Sequence, residues 1–133
     1  MRCLVVDVSA TTRSLVSNAL RRAGASELVS RGSFDEALAA CETPFELAVV
    51  DRDLMDGPGW GWLVSLREKA CPTGHLIVIG TRVTLAEAES LRALGAAAFL
   101  LKPLDPEALR ERAQALLAAA SEGDDSEPLA RAA

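Results

Sequence analysis

Three short runs, Leu4-Val5-Val6, Leu47-Ala48-Val49-Val50 and Leu76-Ile77-Val78-Ile79, are apolar at every position rather than at alternate ones. A strand with one face in water alternates. A strand that is apolar throughout has both faces covered, as in a parallel sheet flanked by helices. Extending each run to its polar end gives strands over Cys3 to Asp7, Leu47 to Asp51 and Leu76 to Gly80. Two further β-prone stretches, Glu27 to Arg31 and Ala97 to Leu101, bring the set to five.

Helical spacing fills the gaps between these runs. The first helix is predicted over about Thr11 to Ala23, with Leu15, Val16, Ala19 and Leu20 on its inner stripe. Ser33 with Glu36 and Thr84 with Glu87 each fit a capping box, which predicts the starts of the second and fourth helices. The third is predicted from about Trp60 to Lys69, stopping at Cys71-Pro72 because a residue before proline avoids helical angles. Asp105-Pro106 reads as a cap and first-turn proline opening a last helix to about Ala120. Gly24 and Gly95 stand where two helices should end in a left-handed turn. A strand and a helix thus alternate five times. Right-handed crossovers then favour an α/β fold with a doubly wound, five-stranded parallel sheet in a single domain.

Composition narrows the function classes. The net charge of −5 leaves no basic footprint for nucleic acid or an anionic membrane surface. No apolar run approaches the ~20 residues that span a bilayer. Met1-Arg2-Cys3-Leu4 does not open into a secretory leader, so a cytoplasmic location is expected. Cys3, Cys41 and Cys71 are odd in number and far apart, which implies neither a disulfide framework nor a metal site. Residues 121–133 carry four acids and one arginine, and are expected to form a disordered acidic tail after a domain over 1–120.

In open α/β sheets, ligands and reactions gather beyond the carboxyl ends of the strands. At those ends this chain places Asp7, Asp51, Thr81 and Lys102-Pro103, from four different strands. Two acids, a hydroxyl and a lysine, each following a buried run, resemble the response-regulator receiver domain of two-component signalling. The resemblance covers Arg2 to about Leu117. It implies a flavodoxin-like strand order of 2-1-3-4-5 and phosphorylation of Asp51, with Thr81 and Lys102 contacting the phosphoryl group. Pro103 matches the family's cis-proline, Phe99 the aromatic switch position, and Arg52 to Gly59 the loop after the acceptor. It further implies Mg²⁺ held by Asp7 and Asp51 with help from Asp53, and no organic cofactor. The implied partners are a histidine kinase or phosphotransfer protein and a downstream protein on the face of helix four, strand five and helix five. No nucleic acid, membrane or enzymatic turnover is expected.

The chain departs from that pattern twice. Receivers usually carry two adjacent acids after strand one, and here the second is Val8, which offers a hard cation nothing. Arg82 follows the hydroxyl residue, where the family usually has a small side chain. A guanidinium there either shields Asp51 or stands in for the metal as a phosphate partner. The departures leave two readings open, a phosphorylatable single-domain receiver and a pseudo-receiver that acts as an interaction module. An enzyme is a poorer fit. Asp51-Arg52-Asp53 superficially resembles the DxD of haloacid-dehalogenase phosphatases, but the later acidic pair is absent. A flavin site would need a glycine that Ser9-Ala10-Thr11-Thr12 lacks. Asp56 and His75 read as solvated loop residues, and one of Trp60 and Trp62 is expected to pack inward. Phe99, lacking a phenol, gains no hydrogen bond by facing outward and is expected to turn in.

Overall fold

The computed structural model describes residues 1–54 and 61–121. The expectations for Met55 to Trp60 and for the acidic tail beyond Ser121 lie outside the described residues. The order is β1 (Arg2–Val6), α1 (Ala10–Arg22), β2 (Glu27–Arg31), α2 (Phe34–Ala39), β3 (Leu47–Asp51) and a 3-10 turn (Arg52–Leu54). There follow α3 (Gly61–Ala70), β4 (His75–Gly80), α4 (Leu85–Ala93), β5 (Ala96–Leu101) and α5 (Pro106–Ser121). All strand pairs are parallel, and the sheet order is β2-β1-β3-β4-β5.

The continuous apolar runs are explained by where alternate side chains go. Cys3, Val5, Leu47, Val49, Ile77 and Ile79 face one core, shared with α1 and α5. Leu4, Val6, Ala48, Val50, Leu76 and Val78 face the other, shared with α2, α3 and α4. β1, β3 and β4 are the three inner strands, and these are the three that read as unbroken apolar runs. β2 and β5 lie at the edges and keep much of their surface half-exposed or exposed. Each fully buried leucine or isoleucine contributes about 1.5–3 kcal/mol, so the two layers together hold the sheet between them.

Local signals set the ends. α1 starts one residue earlier than expected, because the Ser9 hydroxyl accepts a hydrogen bond from the Thr12 N–H. At α4 both halves of the predicted capping box are present. At α2 only half is: Ser33 accepts from the Glu36 N–H, but the Glu36 carboxylate takes the Gly32 N–H instead. Gly24 and Gly95 have φ of 117° and 95°, the left-handed geometry that ends α1 and α4. All three cysteines are free, and burial pushes the Cys3 thiol up to about 12, which leaves it inert at neutral pH. Trp62 packs edge-on against Phe34, with ring centroids 5.3 Å apart, joining α3 to α2.

The tightest backbone approach is at Gly74, between α3 and β4. A Cβ there would lie 2.5 Å from the Glu46 carbonyl oxygen, which is fixed by accepting the His75 N–H at 2.9 Å. Gly74→Ala is therefore expected to cost about 2–4 kcal/mol in urea unfolding. Gly61→Ala meets nothing within 4 Å and is expected to be neutral or slightly stabilising in the same assay. Equal midpoints for the two variants would refute this account of the loop.

Candidate functional site

Asp7 immediately follows β1, and its backbone N–H still donates to the Arg31 carbonyl, so the ladder fixes where its side chain starts. Asp51 is the last residue of β3. The two acids then behave alike. Asp7 Oδ1 accepts the Ser9 N–H at 2.9 Å, and Asp51 Oδ1 accepts the Asp53 N–H at 2.9 Å. Each carboxylate closes a turn over its own outgoing loop with one oxygen and keeps the other for the neighbouring strand end.

Those second oxygens converge on Lys102. Its Nζ lies 2.8 Å from Asp7 Oδ2 and 3.2 Å from Asp51 Oδ2. The Lys102 N–H donates to the Gly80 carbonyl at 2.7 Å, which carries the β4–β5 ladder one residue past β5 and aims the side chain across the sheet edge. The Lys102–Pro103 peptide bond is cis. Asp7 is 1% exposed and Asp51 3%, so two carboxylates share one ammonium almost out of water.

That arrangement has a net deficit of positive charge, and it shows in the titration of both partners. Burial pushes the Asp51 carboxyl above its ordinary range, and the nearby Asp7 charge adds to the rise. The Asp53 N–H and the Lys102 ammonium oppose it without cancelling it. Burial works against the Lys102 ammonium, but the hydrogen bond to Asp7, together with the charge and hydrogen bond of Asp51, outweighs that and raises its pKa. Lys102 therefore stays charged throughout the physiological range. Asp51 is the group held in an uncomfortable ionised state.

The remaining expected residues lie at or near the same end of the sheet. Thr81 and Arg82 are exposed at the start of the loop from β4 to α4, on the same edge of the sheet. Asp53 lies on the 3-10 turn, with its carboxylate 4.0 Å from Arg52 Nη1. Asp7, Asp51 and Asp53 do not close into one metal-holding group, and no three acid, histidine or cysteine side chains do so among the described residues. The donor set left for a hard cation is the pair of buried carboxylates, with Val8, 72% exposed, where a further acid would stand. Mg²⁺ keeps several waters and is commonly bound through one or two carboxylates, so the residues present fit it at the lower limit. Phe99 is half-buried against the core beneath α4, its ring tip 3.2 Å from where a Cβ on Gly80 would sit. That is the inward orientation expected of a ring with no hydroxyl.

Two arginines at the site escaped the sequence reading. Arg13 Nη1 donates to the Asp7 and Val8 carbonyls at 2.7 and 3.1 Å, bracing the loop that carries the first acid. Arg52, next to Asp51, forms an ion pair with Glu87 in the first turn of α4. The spacing of Arg13 along α1 could have suggested the first contact. Nothing local could have found the second, because it joins two separate elements.

Comparison with known proteins agrees with this geometry. The sequence matches the response regulator receiver domain model over residues 3–114. No curated protein matches it. Among solved structures, the chemotaxis response regulator CheY4 of Vibrio cholerae is 26% identical with a TM-score of 0.72, covering 86% of this chain and 97% of its own. A CheY-like receiver domain protein from Methanospirillum hungatei JF-1 is 24% identical with a TM-score of 0.79, covering 92% and 97%. A response regulator from Burkholderia pseudomallei is 26% identical with a TM-score of 0.71, covering 96% of this chain and 73% of its own. With the family match spanning both cores and the paired acids meeting the lysine at the sheet edge, the chain belongs to the response regulator receiver domain family.

Proposed function

We propose that this receiver accepts a phosphoryl group on Asp51 from the phosphohistidine of a histidine kinase or phosphotransfer protein in the cytoplasm. The observation that carries the reading is Lys102 Nζ, 3.2 Å from Asp51 Oδ2 and simultaneously bound to Asp7. Asp51 Oδ2 would attack phosphorus in line. The new P–O bond forms as the P–N bond breaks, and the bonding pair returns to the donor imidazole. Lys102 supplies fixed positive charge to the incoming oxygens, and the Asp53 N–H keeps Asp51 Oδ1 oriented. Thr81 is at the right edge to donate its hydroxyl to a phosphoryl oxygen. Asp7 and Asp51 would hold a Mg²⁺ ion, whose chemistry is to neutralise charge on the transferring oxygens. The Burkholderia neighbour, described as carrying a phosphorylated aspartic acid, supports the same reading. On this view the protein is a relay and not an enzyme with turnover, and its downstream partner reads the face of α4, β5 and α5.

The exposed Val8 favours a second reading, an interaction module with weak metal-dependent phosphorylation. Incubation with Mg²⁺ and acetyl phosphate, followed by intact mass, separates the two. The first reading expects a single phosphoryl adduct that is lost in Asp51→Asn; an unmodified mass at saturating Mg²⁺ favours the second. In a Mg²⁺ titration, Val8→Asp is expected to tighten binding by about 10-fold or more. Unchanged affinity would mean that the two-carboxylate account of the metal site is wrong.

The raised pKa of Asp51 also fixes the sign of a stability effect. The folded protein holds that proton more tightly than the unfolded chain, whose ordinary value is 3.8. The group's favourable contribution is complete below that value and is lost as pH rises through the folded one, so at pH 7 the ionised carboxylate costs stability. Asp51→Asn is expected to raise Tm at pH 7 by about 2–5 °C. The gain should shrink as pH falls toward the ordinary carboxylate value. Calorimetry across that range checks it, and a lower Tm for the variant at pH 7 would contradict the electrostatics.

A further inference from the structure

The ion pair between Arg52 and Glu87 connects two elements that matter for signalling. Arg52 is covalently next to the acceptor. Its stem packs on Gly80, where an added Cβ would lie 3.4 Å from Arg52 Cβ. Its guanidinium pairs with Glu87 through Nη2 and Oε2. The two oxygens of Glu87 have separate duties. Oε1 accepts the Thr84 N–H at 2.9 Å and completes the cap of α4, while Oε2 holds Arg52. Neither partner is far into solvent, with side chains 27% and 23% exposed, so the pair is less screened than a fully exposed one.

The Lys102 ammonium is already shared between two carboxylates, and Arg82, the other cation on this edge among the described residues that the sequence singles out, is exposed. Lys102 serves both Asp7 and Asp51, and the position after Asp7 holds valine. A phosphoryl group brings a charge of about −1.5 to −2 and three strong acceptor oxygens to residue 51. Arg52 lies one residue away, already between Asp53 at 4.0 Å and Glu87.

We propose that the Arg52–Glu87 pair couples the charge at Asp51 to α4: a phosphoryl group on Asp51 draws the Arg52 guanidinium away from Glu87 and loosens the first turn of that helix. This rests on Asp51 being the phosphoryl acceptor. Coupling is reciprocal in free energy, so weakening the pair beforehand favours the phosphorylated state. Because the incoming phosphoryl charge is already at residue 51 during in-line attack, the same change should also speed uptake. Glu87 is thus a positioning residue, acting on the acceptor through Arg52.

Glu87→Gln removes the charge while its amide oxygen can still accept the Thr84 N–H. Thr84→Ala removes half of the cap and leaves the ion pair. In the full chain, backbone amide exchange over residues 84–90 is measured with and without acetyl phosphate and Mg²⁺, alongside the rate of adduct formation by intact mass. Phosphorylation should speed exchange in the wild-type first turn. Glu87→Gln should exchange fast at rest, respond no further, and take up phosphate about two- to five-fold faster. Thr84→Ala should also fray the turn but leave the uptake rate unchanged. The coupling is overturned if Glu87→Gln takes up phosphate at the wild-type rate, or if Thr84→Ala accelerates it equally, since fraying alone would then suffice. No adduct on the wild-type chain would instead overturn the acceptor reading and the coupling with it. In that case, non-additive exchange in an Arg52→Gln/Glu87→Gln double variant would still show the two residues acting as a unit at rest.

Discussion

One ammonium group between two buried carboxylates organises the functional end of this protein. Lys102 comes from the chain beyond β5, and its two partners come from the ends of β1 and β3; Asp7, the closer in space, is 95 residues away in sequence. Without that cation, Asp7 and Asp51 would face each other nearly dry, and like charges in such a setting force one group to take up a proton. With it, both acids remain usable, but the balance is incomplete, and Asp51 bears the strain as a raised pKa. A carboxylate that is costly to keep ionised, beside a fixed ammonium within reach of incoming oxygens, has the chemistry that forming an acyl phosphate would need.

The rest of the architecture serves to hold those strand ends in register. Parallel pairing places the carboxyl ends of β1, β3, β4 and β5 on one edge, and the two apolar layers keep that edge from shifting. Arg13 fixes the backbone of the first acid from below, through two carbonyls. Arg52 does something different, since it ties the residue after Asp51 to α4, beyond the loop that follows β4. Phe99 and Arg52 both lie against Gly80, so the end of β4 is where β5 and the segment after Asp51 meet.

Much of this was legible from local signals. Continuous apolar runs identified the three inner strands, because only strands covered on both faces can be apolar throughout. The Thr84–Glu87 box and the two left-handed glycines fixed helix ends for reasons confined to a few neighbouring residues. Where the local reading failed, a competing partner intervened. Glu36 has a Gly32 N–H within reach and takes it in place of the Ser33 N–H. Ser9 lies before the predicted start of the first helix at Thr11, yet its hydroxyl caps α1 from Ala10.

By itself, the sequence determined that strands and helices alternate, which strands lie inside, and that two acids, a hydroxyl and a lysine end up on one edge. Periodicity and strand polarity are properties of neighbouring residues, and they suffice for that. Only the tertiary structure decided which oxygens the lysine meets, that Asp53 turns toward Arg52 and not into a ligand cluster, and that Arg52 chooses Glu87. Those outcomes depend on distances of a few ångströms between segments far apart in the chain. Such distances are set by strand register and by the packing of two cores at once, and no local pattern encodes them.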